Sequence, residues 1–162
     1  MTEQTMGAAV RRAVTVKAPI DHAFDVFTRQ MGRWWPRETH HVGPTPARAI
    51  MEPFEGGRCY ALADDGTETD WGRVLAWEPP GRVVFAWLLT PQWAFEPDPA
   101  RASDVEVRFT ALGDTSTLVE LTHAGFERYA EGGDAMRAEV DGEGGWGLLL
   151  QLYAGGLVGE GA

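Results

Sequence analysis

The 162-residue chain has little that would suit an exported or membrane protein. It contains one cysteine, Cys59, which cannot form an intrachain disulfide, and a reducing compartment fits this usage best. It has no apolar run of the roughly 18 residues that a membrane-spanning helix needs. Its first 12 residues lack the basic region and apolar run of a secretory signal. We therefore expect a cytoplasmic protein.

Positive charge is also scarce, with 14 Lys and Arg against 24 Asp and Glu, for a net charge of −10. The deficit lies in residues 61–162, which carry six basic and eighteen acidic side chains, whereas residues 1–60 carry eight and six. An acidic surface repels phosphate backbones and anionic membranes, so we expect neither nucleic acid nor a membrane as a partner. A protein partner remains possible, but no pattern identifies one.

Signatures of metal binding and nucleophilic catalysis are missing as well. The chain has no GxSxG or P-loop pattern and no HxxxH or CxxC spacing. His40 and His41 are adjacent, so on a strand or a helix they point in different directions, and His22 belongs to another predicted element. We predict no metal site and no cofactor. Cys59 has no histidine or basic run beside it that would activate its thiol.

What the chain does have is apolar and aromatic content: 44% of its residues are hydrophobic and seven are tryptophan. A tryptophan pair occurs in the stretch MGRWWPRETHH (31–41), directly before a proline. A helical stripe leads up to it, formed by Ile20, Phe24, Phe27, Met31 and Trp34 at spacings of four and three. Trp34 ends this stripe and is predicted to be core. Trp35 projects about 100° away and is free to line something else.

From residue 47 to residue 123 the apolar period changes to two, which is typical of strands. Six strands are predicted there, separated by turn residues such as Gly56-Gly57 and Asp65-Gly66, and a seventh is predicted at residues 11–19. In the last strand the alternation places His123 on the side of Val119 and Leu121. The longer link, 91–102, is either a functional lid or an irregular loop.

Helical spacing returns in the tail, where a helix is predicted over residues 143–158. The element order therefore predicts an α+β domain with a strongly twisted antiparallel sheet around a terminal helix. We expect one domain over residues 1–162, with an ordered core at about 11–158.

The chain resembles the START-like (SRPBCC, helix-grip) superfamily, within the branch named after the activator of the heat-shock-protein-90 ATPase. The resemblance implies a curved antiparallel sheet that grips a long C-terminal helix, two short helices after the first strand, and a deep apolar cavity between sheet and helix. It is carried, in the family's order, by VTVKAPIDHAFDVFT (14–28), WWPRETHH (34–41), EPFEGGRCY (52–60), WGRVLAWEPPGRVVFAW (71–87), VEVRFTALGDTSTLVELTHAGFE (105–127) and GGWGLLLQLYA (144–154).

The resemblance suggests a set of ligand-contacting residues within that cavity. His123, Tyr60 and Arg73 would supply its polar groups, although each has a structural alternative: a satisfied core histidine, a satisfied hydroxyl and a cross-strand ion pair. The predicted lining consists of Trp35, Tyr60, Trp71, Phe85, Trp87, Phe109, His123, Trp146, Leu150 and Tyr153.

Three functions compete at this point. The first is binding of a small hydrophobic or aromatic molecule without chemistry. The second is a cyclase- or dehydratase-like enzyme that uses His123 or Tyr60 as acid or base in the same cavity. The third is a co-chaperone or other protein-interaction module, which is weakened because the activators carry an additional N-terminal domain for which residues 1–10 leave no room.

Overall fold

The computed structural model describes residues 9–36 and 47–160. In this part of the chain seven strands form one antiparallel sheet in the order β1-β7-β6-β5-β4-β3-β2, so that the first two strands lie at its opposite edges. The strands are β1 (Val10–Val16), β2 (Ala47–Met51), β3 (Arg58–Ala63), β4 (Glu68–Glu78), β5 (Arg82–Trp87), β6 (Ser103–Gly113) and β7 (Ser116–Ala124).

The helices lie at two places in the chain. Two short ones follow β1, α1 (Ile20–Phe27) and α2 (Met31–Trp34). Two more come after the sheet, α3 (Gly133–Asp141) and the longer α4 (Trp146–Glu160). Single turns of 3₁₀ helix occur at Pro99–Arg101 and Phe126–Arg128. The α+β helix-grip fold predicted from the sequence, with a curved antiparallel sheet around a C-terminal helix and two short helices after the first strand, is confirmed.

The apolar stripe over residues 20–34 is divided between two helices rather than one. The hydroxyl of Thr28 donates to the carbonyl oxygen of Phe24 at 2.8 Å, and the backbone N–H of Gln30 reaches back to Asp25 O at 3.1 Å. A threonine hydroxyl that takes an upstream carbonyl competes with the regular helical ladder. The interruption ends α1 at Phe27, yet both helices still direct their apolar residues into the core.

The core lies between the concave face of the sheet and the helices. Phe24 of α1 meets Phe109 of β6 edge to face, with ring centroids 5.1 Å apart. Phe27 contacts Tyr153 of α4 at 5.2 Å. Edge-to-face pairs of this kind stabilise a core by about 0.5–1.5 kcal/mol beyond the area they bury. Alternation in β6 and β7 is confirmed, since the inward-facing residues are buried and the intervening ones are not.

Strand β4 carries two register shifts, which explains why its faces are hard to assign from the sequence. Its pairing with β5 passes from Val74 to Ala76, so Leu75 is an extra residue and is exposed. Its pairing with β3 passes from Asp70 to Gly72, so Trp71 is extra on that side. Each bulge breaks the strict alternation of side chains along the strand. No helix in the described residues is long and apolar enough to cross a membrane.

Candidate functional site

A cavity of about 610 Å³ lies at one end of the concave face, between the sheet and the junction of α3 with α4. This volume is typical of pockets that bind a small organic molecule. The sheet supplies one wall and the helices the other. Its lining consists of Trp35, Ala49, Ala61, Trp71, Trp87, Leu89, Trp93, Ala138, Glu139, Val140, Gly142, Glu143, Gly144, Gly145, Trp146 and Leu149.

Five indoles dominate the lining and contact one another around the cavity. The rings of Trp35 and Trp71 stack, with centroids 5.8 Å apart and planes 16° from parallel. Trp146 meets Trp35 at 6.2 Å and Trp87 at 5.6 Å, both at steep angles. Trp93 meets the edge of Trp87 at 6.5 Å. Mutual contact holds these rings in place, so the cavity presents preformed aromatic surfaces.

Two local features of the sheet make room for the cavity. Ala49 of β2 and Ala61 of β3 are direct cross-strand partners, and both point inward and are buried. Their methyl groups leave open the space that larger side chains would fill. The bulge in β4 places Trp71 beside them, as bulges often redirect a side chain next to a functional site. The sheet thus combines a floor of small residues with an aromatic wall.

The opposite wall depends on the glycine-rich turn between α3 and α4. A Cβ on Gly145 would lie 1.9 Å from the carbonyl oxygen of Val140, so only glycine allows the helices to approach so closely. The stretch GEGGWG (142–147) has the spacing GxGxxG, but it joins two helices. The dinucleotide-binding turn with that spacing joins a strand to a helix. Here the glycines bring Trp146 and the end of α3 to the cavity.

The link after β5 contributes Trp93 at the mouth. A bridge between Leu89 and Phe95 closes this link into a narrow loop, and the Thr90 hydroxyl accepts from the backbone N–H of Gln92 and of Ala94. Trp93 has φ 65°, in the left-handed region that a bulky residue rarely adopts. Its side chain is 42% exposed although it lines the cavity. The loop therefore holds an indole over the opening at a cost in backbone strain.

His123 lies behind the cavity wall in a continuous chain of hydrogen bonds. The indole N–H of Trp146 donates to His123 Nδ1 at 3.0 Å, so the neutral ring carries its proton on Nε2 and donates to Ser103 Oγ at 2.7 Å. The Tyr129 hydroxyl donates to Leu89 O at 2.8 Å, which leaves Ser103 to donate to Tyr129 Oη at 3.0 Å. The chain joins Trp146 and Leu89, two parts of the cavity lining.

Burial determines the protonation of these groups. Desolvation lowers the pKa of His123 to about 3, because the imidazolium would lose its hydration inside the core. Desolvation likewise raises the pKa of Tyr129 and that of Tyr153. At neutral pH, His123 is thus uncharged, and both ring nitrogens are occupied. The geometry gives it the role of holding Trp146 in position, with no free nitrogen for an incoming molecule.

The ten residues predicted as lining fall into two groups. The structure brings Trp35, Trp71, Trp87 and Trp146 together around the cavity. The other six are not part of its lining. Tyr60 faces the outer side of β3, where the Arg58 guanidinium covers its ring at 4.2 Å, because Cys59 and Ala61 occupy the inner positions. Phe85, Phe109, Leu150 and Tyr153 are buried in the core, and His123 lies behind Trp146.

Two further predicted groups can be placed. Arg73 is exposed, on the outer face of β4. His40 and His41 lie outside the described residues. Within residues 9–36 and 47–160, no group of three or more His, Cys, Asp or Glu side chains could hold a metal ion.

The prediction from the sequence missed several lining residues. Ala49 and Ala61 could have been found from the alternating alanines of their strands, and Trp93 from its place in a long link. The carboxylates of Glu139 and Glu143 are the titratable side chains of the lining in the described chain. They reach the cavity only because the α3–α4 turn brings them there. Trp87 adds a buried indole N–H that finds no acceptor among the described residues.

A curved antiparallel sheet closed by a C-terminal helix, with an aromatic cavity between them, defines the START-like, helix-grip class. The chain belongs to the family described as Activator of Hsp90 ATPase homolog 1-like protein, whose model matches residues 17–151. No curated protein matches the chain.

Known structures extend this similarity. The anthrahydroquino-Gama-pyrone synthase Txn09, complexed with SUM, is 37% identical, with a TM-score of 0.64 over 91% of this chain and 96% of that one. CalC from Micromonospora echinospora, described as a self-sacrificing resistance protein, is 29% identical, with a TM-score of 0.67 over 95% and 96%. Protein NE0264 from Nitrosomonas europaea, 14% identical with a TM-score of 0.62 over 94% and 95%, shares the fold alone.

Proposed function

We propose that the protein binds a small, flat aromatic molecule in the cavity between the sheet and the α3–α4 junction. The observation that carries this proposal is the set of five indoles around a 610 Å³ space. Aromatic side chains bury large areas and favour stacked or edge-on contacts with other rings. The similarity to a synthase and to a resistance protein over nearly the whole chain supports a small molecule as the partner.

The proposal also covers the domain organisation and the cellular compartment of the protein. We infer a single domain acting in a reducing, cytoplasmic compartment. The thiol of Cys59 is buried, and its pKa is raised mainly by desolvation, so it stays protonated and unreactive in the folded protein.

Titration with N-phenyl-1-naphthylamine, a neutral apolar fluorophore, tests the proposal directly. We expect the probe emission to rise and shift to the blue while tryptophan emission falls, because the probe would lie against the indoles. Ala61→Met should fill the floor of the cavity and weaken binding by roughly tenfold or more, the effect expected of added methylenes in a tight pocket.

Leu62→Met is the matched control, because Leu62 is the next residue of β3 and points to the outer face. It should leave probe binding unchanged. The proposal fails if the folded protein changes neither emission, or if Ala61→Met and Leu62→Met bind the probe equally.

A second candidate is an enzyme of the cyclase kind, favoured by the 37% identity to a synthase over almost the full length of both chains. In this protein the acid or base would be Glu139 or Glu143, since these are the titratable groups of the described lining. His123 would act only through Trp146, and Tyr60 faces away.

Turnover of a panel of aromatic polyketide-like ketones by the wild type, Glu139→Gln and Glu143→Gln distinguishes the two functions. Turnover that disappears in a glutamine variant while probe binding persists establishes the enzyme. Binding without turnover of any ketone of the panel supports the binder.

A further inference from the structure

The charged groups at the cavity mouth carry information about the ligand. Among the described lining residues, Glu139 and Glu143 are acidic, and none is Lys, Arg or His. No ion pair joins either carboxylate to a described residue. Nearby Asp141, by contrast, is paired with Arg12 of β1. Two carboxylates with no ion-pair partner among the described residues therefore lie at the rim of an aromatic cavity.

The surroundings strengthen this negative field. Residues 131–143 carry five carboxylates and one arginine, a net charge of −4, and Arg12 of β1 offsets one of these carboxylates, Asp141. A cleft of one sign with low-dielectric walls raises the local concentration of ions of the opposite sign. Indole faces act in the same direction, because the π-electrons of tryptophan attract cations more strongly than those of other side chains. The carboxylates and the rings thus favour the same kind of ligand charge.

We propose that the ligand is a flat aromatic molecule that carries a positively charged amine. Its rings lie against the indoles of Trp35, Trp71 and Trp146 that face the cavity, and its charged nitrogen lies at the mouth near Glu139 and Glu143. This inference rests on the proposed binding function and adds the charge of the ligand to it. Both glutamates are exposed, so each contributes modestly and the contribution is weakened by salt.

Three tricyclic fluorophores of similar size test the proposal on the folded, full-length protein: 9-aminoacridine, cationic at pH 7; acridone, neutral; and anthracene-9-carboxylate, anionic. We expect affinity to fall in that order, with about tenfold or more between the cation and the anion. Raising the salt concentration from 20 mM to 500 mM should reduce the difference.

Variants then assign the effect to the mouth. Glu139→Gln and Glu143→Gln should each weaken 9-aminoacridine binding about two- to fivefold, as expected for exposed charges, and should leave the affinity for acridone unchanged. Glu131→Gln is the control, because it removes the same charge from an exposed carboxylate outside the lining. Because Glu131 lies outside the cavity, this variant should weaken 9-aminoacridine binding by clearly less than either mouth variant does.

The outcomes separate this inference from the proposed function. If none of the three fluorophores binds, the binding function itself is overturned. The preference for a cationic ligand is refuted if acridone and 9-aminoacridine bind with equal affinity. It is also refuted if Glu131→Gln weakens 9-aminoacridine binding as much as the two mouth variants do. In both cases the proposed binding function of the cavity is retained.

Discussion

Replacing Trp93 by glycine and by alanine separates two opposing contributions of this residue. At φ 65° a Cβ costs about 1–2 kcal/mol, and glycine relieves that cost. Glycine also loses roughly 0.5–1 kcal/mol more in chain entropy on folding. We therefore expect Trp93→Gly to be more stable than Trp93→Ala by about 0.5–1 kcal/mol, which is about 1–4 °C in Tm for a chain of this size.

Ligand binding should behave differently, because both variants lose the indole equally. The ring contacts Trp87 edge to face at 6.5 Å, and a comparable contact with a bound aromatic is worth about 0.5–1.5 kcal/mol. Both variants should therefore bind N-phenyl-1-naphthylamine about two- to twelvefold more weakly than the wild type.

Thermal unfolding and probe titration of the three proteins, run in parallel, provide the two measurements. An alanine variant as stable as the glycine variant would show that the backbone at this position is not strained. Wild-type affinity in both variants would show that the indole does not cover the ligand.

Three more predictions follow from buried side chains. Trp34→Ala should lower the unfolding free energy measured in urea by about 3–5 kcal/mol, because the indole is buried and donates to Val26 O at 2.9 Å. Trp35→Ala should lower it by clearly less, and should weaken probe binding more than Trp34→Ala does. The pKa of His123 in the folded protein is about 3, below the ordinary value of 6.5. The contribution of the neutral imidazole to the unfolding free energy is therefore complete above pH 6.5 and is lost as the pH falls from 6.5 towards 3. It amounts to up to roughly 5 kcal/mol. Urea unfolding at several pH values should show the unfolding free energy falling between pH 6.5 and pH 3. In His123→Asn the slope of this fall against pH should be smaller, by an amount equivalent to at most one proton. Equal slopes in the two proteins would contradict the prediction. Cys59 is buried and its pKa is raised, so Ellman's reagent should modify it only after unfolding; rapid reaction of the native protein would contradict the burial.

The sequence predicts the fold well because the fold depends on periodicity. Alternation in β6 and β7 places Val105, Phe109 and His123 inside, and burial of these residues confirms it. The helix stripe correctly marks Trp34 as core. Such faces follow from local geometry, which each segment carries in its own residues.

The cavity is less accessible to this reasoning, because it depends on irregularities and on distant segments. Trp71 is itself the extra residue at a bulge in β4, which alternation alone does not reveal. Tyr60 faces outward because its strand puts Cys59 and Ala61 inward. Glu139 reaches the mouth through a turn whose shape only the glycine at position 145 allows. The placements of Trp71 and Glu139 could not be obtained from spacing within a single element, whereas the outward side of Tyr60 follows from alternation once the inner face of β3 is known.

The contacts among the indoles also have an optical consequence. Six of the seven tryptophans form one connected set, since Trp34 touches Trp35 at 5.6 Å and the remaining links run through the cavity wall. At these separations the excitation energy transfers between the rings before a photon is emitted. The six tryptophans therefore share their excitation energy, and a molecule that quenches one of them lowers most of the protein's tryptophan fluorescence. The same coupling should split the near-ultraviolet dichroism into paired bands of opposite sign, which are lost when the rings separate.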